Sequence, residues 1–177
     1  MKYLLFIALA SLTACGNTIY IVRHAEKEPV PAGANQMMAS DPPLSEAGKQ
    51  RANELRDRLQ QEQIRYIFST NTTRTLTTAK PLNEMLGNTH IEIYSSKKDS
   101  MDQFITRLKS IKKGNVLVVG HSNTIDDIAN KLCNKTVVPG DLEDNEYNNL
   151  FEVKRKGKKY TFKRLTIGNY FTVKKEK

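Results

Sequence analysis

The sequence predicts an α/β fold: a parallel sheet covered by helices on both faces, an α/β/α sandwich, closed by a C-terminal β-hairpin. Three observations predict it. The runs Ile19–Val22, Ile64–Ser69, Ile91–Tyr94 and Val116–Val119 have the length and β-prone content of strands buried in a sheet. Stretches of helical period separate them, and strand–helix alternation is the pattern of a parallel sheet. After Pro139-Gly140 the alternation stops. Leu150–Val153 and Tyr160–Leu165 then flank a basic turn, Lys154–Lys159, that contains Gly157.

The first fifteen residues stand apart from this pattern. Lys2 gives a positive start, and Tyr3–Leu12 is an apolar run too short to span a bilayer as an ordinary anchor. Leu12-Thr13-Ala14-Cys15 resembles the bacterial lipobox, in which the cysteine is lipidated and becomes the new N-terminus. Residues 1–15 are therefore expected to be a lipoprotein signal peptide with its lipidated cysteine, and residues 16–177 a single domain. That places the chain in the bacterial cell envelope, exported and lipid-anchored to a membrane. Cys133 would then have no disulfide partner and would pack as a small apolar group on a helix.

The strand at 19–22 follows a short tether. Residues 25–43 read as irregular, with Pro29, Pro31, Gly33, Pro42 and Pro43; a loop of that length directly after Arg23-His24 is expected to wall a site. Lys49–Gln61 reads as a helix with Ala52, Leu55 and Leu59 inward, and with Arg51, Glu54, Arg56, Asp57 and Arg58 on a solvated face. The strand at 64–69 leads to a helix from Thr73 to Leu86, stopped by Gly87. The strand at 91–94 leads to a helix over Ser100–Lys112, with Phe104, Ile105, Leu108 and Ile111 on one face. The strand at 116–119 leads to a helix capped by Asn123 or Thr124 and reaching Cys133.

The chain is long enough for a full core, and its hydrophobic content of 38% is that of a folded protein. Its formal charge of +9 suits anionic partners, namely phosphorylated substrates, acidic lipids or nucleic acid. No internal repeat is evident, and no basic stripe interleaved with aromatics marks a nucleic-acid module.

Two apolar strands end in histidine, at Arg23-His24 and at Gly120-His121-Ser122, and Arg74 follows the strand between them. The ends of parallel strands are where an open α/β sheet binds its ligands. A neutral imidazole is a competent nucleophile near neutral pH and can form a phosphohistidine that water hydrolyses. Such chemistry needs no metal or cofactor if fixed cations neutralise the phosphoryl oxygens. Arg23 and Arg74 can do so with bidentate contacts, and a protonated His121 would add a third positive group.

Four segments carry a family resemblance. Arg23-His24-Ala25-Glu26 resembles the Arg-His-Gly/Ala-Glu signature of the histidine phosphatase superfamily, the phosphoglycerate mutase-like proteins. Asp41-Pro42-Pro43-Leu44-Ser45-Glu46-Ala47-Gly48 is similar to its Leu-Thr-x-x-Gly segment. Ser69 to Ala79 is similar to its Ser-x-x-x-Arg-x-x-x-Thr-Ala segment, and Val119-Gly120-His121-Ser122 closes the set. The resemblance implies a phosphohistidine at His24, phosphate binding by Arg23, Arg74 and His121, and a phosphorylated small molecule or phosphoprotein as substrate. One branch of the family takes its proton donor from a Glu after the third strand, another from an Asp directly after the second histidine. Ser122 holds the latter position here. Glu26, Asp99 and Asp126 remain, and Asp99, just beyond the strand at 91–94, is the expected donor. A phosphatase is the leading expectation. A phosphomutase is less expected because the chain lacks long insertions resembling those of the mutase branch. A non-catalytic binder of phosphorylated glycans or lipids is the contrasting alternative.

Overall fold

The computed structural model describes residues 16–168. The expected signal segment and Cys15 lie outside the described residues. In chain order the elements are β1 (Thr18–Arg23), α1 (Gln36–Ser40), α2 (Glu46–Leu59), β2 (Ile64–Ser69), α3 (Thr73–Met85), β3 (Ile91–Ile93), α4 (Lys98–Ser110), β4 (Asn115–Gly120), α5 (Ile125–Cys133), β5 (Asn149–Lys156) and β6 (Lys159–Thr166).

They build one six-stranded sheet in the order β3-β2-β4-β1-β5-β6. Its first four strands are parallel. The hairpin β5–β6 joins antiparallel beside β1, with Thr18 opposite Lys154 and Val22 opposite Leu150. Gly157, the first of the two residues between these strands, has φ +63°, the conformation a tight hairpin turn asks of glycine at that place.

Alternation along the central strands sorts the core into two layers. Ile19, Ile21, Val116 and Val118 face Phe104, Leu108, Ile125 and Ile128 of α4 and α5. Tyr20, Val22, Leu117 and Val119 face Leu55, Leu59, Ala79 and Leu82 of α2 and α3. Successive residues of a strand point to opposite faces, so a strand covered on both must be apolar throughout. Each fully buried Leu, Ile or Val contributes about 1.5–3 kcal/mol, so the continuous runs are the main reason this sheet forms.

The same sorting positions a crevice. The chain leaving β1 crosses to β2 on the α2 side, while the chain leaving β4 crosses to β5 through α5 on the other side. β1 and β4 are neighbours, so their carboxyl ends part at a topological switch point, where open α/β sheets bind ligands. His24 N donates to Gly120 O at 2.9 Å, locking the two strand ends together.

The expected irregular loop 25–43 contains the short helix α1 and is tied back by an isolated bridge between Lys27 and Leu44. The Ser45 hydroxyl caps α2 by accepting from Gly48 N. A Cβ at Gly48 would run into the Glu26 carbonyl; glycine is what lets α2 approach the segment that follows His24. Arg51, expected on a solvated face, instead grips both carboxylate oxygens of Glu26 through Nε and Nη2, at 2.6–2.9 Å. Cys133 is a free, half-buried cysteine packed against the α4–α5 side of the core.

Candidate active site

β1 ends in Arg23, and His24 follows it at the mouth of the crevice; both are buried, 4% and 5% exposed. The His24 Nδ1 lies 2.8 Å from the Ala25 carbonyl oxygen. A carbonyl only accepts, so Nδ1 carries the proton and Nε2 keeps a free lone pair. Burial, followed by Arg74, Arg23 and His121, lowers the His24 pKa to about 3 against the Ala25 hydrogen bond. His24 is therefore neutral at neutral pH and in the tautomer a nucleophile needs.

His121 follows β4, and its ring centroid lies 5.4 Å from that of His24, edge to face. Its Nε2 is 2.9 Å from Thr70 Oγ1. Thr70 directs its own proton to Thr75 Oγ1, so it accepts from His121. Burial, then Arg74 and Arg23, lower the His121 pKa to about 4. At neutral pH His121 is thus a neutral imidazole, and the condition for a third cation, its protonation, is not met by these surroundings alone. An arriving phosphoryl dianion would oppose those causes and raise the pKa again.

Arg74 lies in the first turn of α3. Its Nη1 donates to Asp41 Oδ1 at 2.9 Å, while Asp41 Oδ2 accepts from Thr73 N at 2.7 Å. One carboxylate thereby caps the helix and holds the arginine. Thr78 Oγ1 donates to the Arg74 carbonyl and accepts from Ala25 N, fastening α3 to the segment that follows His24. Arg23 is held by the segment before β5: Nη1 donates to Glu143 O at 2.8 Å, and its guanidinium lies 4.1 Å from the Tyr147 ring centroid. Tyr147 also sits 6.0 Å from the His24 ring.

These groups line one cavity of about 580 Å³, with Arg23, His24, Arg74 and His121 together on its wall. Lys27, Thr72, Ser96, Ser122, Asn123 and Asp144 complete it. The expected convergence of two imidazoles and two guanidinium groups is therefore present. The proton-donor candidates are placed elsewhere. Asp99 is exposed in the first turn of α4 and does not line the cavity, which Ser96 reaches instead. Glu26 is committed to Arg51. Asp126 is 6% exposed in the first turn of α5, where burial raises its pKa, and it too lies off the cavity wall. Asp144, not anticipated from the sequence, is the one carboxylate among the described residues that lines the cavity; it reaches Arg23 at 3.8 Å. No cluster of three or more His, Cys, Asp or Glu suited to hold a metal ion occurs among the described residues.

Residues 19–98 match the Histidine phosphatase superfamily (branch 1). Among curated protein sequences, none matches. Among solved structures, the mycobacterial glucosyl-3-phosphoglycerate phosphatase in complex with VO3 is similar at 14% identity and TM-score 0.64, covering 86% of this chain and 100% of that one. The alpha-ribazole phosphatase of Shigella flexneri is similar at 13% identity and TM-score 0.62, covering 86% and 99%. A candidate phosphohistidine phosphatase SixA from Agrobacterium tumefaciens is similar at 15% identity and TM-score 0.61, covering 87% and 99%. At such identities these likenesses establish the fold. The sequence match to that superfamily covers residues 19–98, and the mixed α/β fold is that of these solved phosphatases.

The two lowered imidazole pKa values have a consequence for stability. In the unfolded chain both histidines take up protons below about pH 6.5, whereas in the folded state they resist until about 3 and 4. The unfolded state then binds more protons, so stability is full above pH 6.5 and falls as the pH drops toward those folded values. Each imidazole can contribute a slope approaching about 1.4 kcal/mol per pH unit in that window. Denaturation midpoints at pH 7.5 and 4.5 should therefore differ less in the double variant His24→Gln, His121→Gln than in the parent.

Proposed function

We propose that this protein is a phosphatase that transfers a phosphoryl group first to His24 and then to water, without a metal ion. The observation that carries the reading is the neutral His24, with Nε2 unprotonated, on one cavity wall with Arg23, Arg74 and His121. His24 Nε2 attacks phosphorus, and the bond to the leaving group breaks with its electron pair. Arg23 and Arg74 bind the phosphoryl oxygens, and His121, charged by the dianion it faces, donates a third contact. Water then attacks phosphorus, the N–P bond breaks, and the electron pair returns to Nε2 as phosphate leaves.

The position of the acids shapes the substrate choice. Proton donation by Asp99 draws no support from its exposed place off the cavity, and the Asp144 side chain is fully exposed and turned to Arg23 at 3.8 Å. The reading therefore favours leaving groups that depart without a donated proton, such as a carboxylate or an imidazole. The candidate phosphohistidine phosphatase among the similar folds is named for a substrate of that kind. The test is hydrolysis of acetyl phosphate and p-nitrophenyl phosphate in chelator-treated buffer. Turnover of both is expected; phosphate-competable binding with no turnover would mark a binding protein instead.

A separate part of the reading rests on Leu12-Thr13-Ala14-Cys15 alone: Cys15 carries the lipid that anchors the chain in the cell envelope. Cys15→Ser should move the protein from the membrane to the soluble fraction of expressing cells. An unchanged membrane fraction would contradict it.

A further inference from the structure

The sheet has two ends of different character. The carboxyl ends of β1 and β4 carry the crevice. The amino ends carry a second cavity, of about 550 Å³, between the last turns of α4 and α5 and the β5–β6 turn. Lys109, Lys135, Lys158 and Lys159 line it around Tyr160, and among the described residues no carboxylate does. Strands of six residues at about 3.3 Å each put roughly 20 Å between the two ends. That exceeds two Debye lengths at physiological salt, about 8 Å each, so these lysines are not part of the substrate's field.

Two further observations give this cavity its occupant. The Nζ atoms of Lys135, Lys158 and Lys159 have no hydrogen bond or ion pair among the described residues. Unfixed ammonium groups on flexible stems suit mobile anionic headgroups better than a ligand of fixed shape. The cavity also adjoins the start of the described chain. Arg155 N, in the same hairpin, donates to Asn17 O at 2.9 Å, two residues after Cys15, the proposed point of lipid attachment.

We propose that the amino end of the sheet is a membrane-contact face, whose lysine cavity takes the headgroups of anionic phospholipids and holds the crevice at the far end turned to solvent. This proposal rests in part on the reading of Cys15 as the lipid anchor and not on the phosphatase reading; it concerns which face meets the bilayer, so membrane binding lost in Cys15→Ser and headgroup protection lost in the lysine variant are separate failures.

The test is lysine acetylation of the full-length protein, read by mass spectrometry, on phosphatidylcholine vesicles with and without phosphatidylglycerol. Acetylation of Lys135, Lys158 and Lys159 should slow by about threefold or more when phosphatidylglycerol is present, and the effect should fade in high salt. Lys27, at the crevice, should be unchanged. Equal slowing on phosphatidylcholine, equal slowing at Lys27, or none at all would overturn the proposal. So would the same protection by inorganic phosphate alone, which would mark a small-anion site. The variant Lys135→Gln, Lys158→Gln, Lys159→Gln should lose the preference for phosphatidylglycerol while its hydrolysis of acetyl phosphate in solution is unchanged. A variant that keeps the preference would equally overturn it.

Discussion

His24→Ala should lower turnover of acetyl phosphate by at least about a thousandfold, because removing a nucleophile removes the pathway rather than one of its stabilising contacts. His121 directs Nε2 at Thr70, and the Thr70, Thr72 and Thr75 hydroxyls are occupied with one another and with backbone carbonyls. The variant should still bind inorganic phosphate, since His24 is neutral and the cations that attract the anion remain. Loss of turnover with phosphate binding retained separates a chemical role from damage to the fold. A variant that turns over at more than a tenth of the parental rate would remove His24 from the mechanism.

The second large effect belongs to Arg74. Arg74→Ala should reduce kcat/KM by about a hundred- to a thousandfold, the usual cost of deleting one preorganised contact to developing charge. Arg74→Lys should recover only part of this, because an ammonium cannot present two parallel N–H groups to a phosphoryl face. The pairing with Asp41 adds a finer expectation. Asp41→Asn keeps a side-chain oxygen for the Thr73 N–H but loses the charged grip on Arg74, so it should cost about tenfold in kcat/KM with little change in stability. Phosphate inhibition constants measured alongside show whether each loss lies in anion binding. An Arg74→Ala variant with unchanged kcat/KM would place the phosphoryl group elsewhere.

Much of this architecture was legible because the central strands are covered on both faces. Ile19–Val22 and Val116–Val119 must be apolar at every position, which leaves a local signal. The residues that follow those strands inherit their place from topology, so His24 and His121 could be expected at one edge from chain order alone. What was not legible depends on contacts between distant segments. Tyr147 and Glu143 hold Arg23 across more than a hundred residues, and nothing near them in sequence marks that duty. Arg51 reads as one more charge on a polar helix face until the fold brings it to Glu26. The helix α1 has five residues and little periodicity to betray it. The protonation state of His121, left conditional by the sequence, depends on burial and two nearby guanidinium groups that lower its pKa, and neither is encoded locally. Asp99 illustrates the sensitivity of an edge position. Helix α4 begins at Lys98, ahead of the expected start at Ser100, and this carries the carboxylate onto an exposed first turn.

The central claim is that one tetrahedral oxyanion is gathered by the side chains of Arg23, His24, Arg74 and His121 and passed to His24. Its most direct test is rapid alkaline quench of the protein with isotopically labelled acetyl phosphate, followed by peptide mapping. The account predicts a single acid-labile, base-stable phosphate on the peptide containing His24, absent from His24→Ala. Label on another residue, or steady turnover with no trapped phosphoenzyme under any quench time, would contradict it.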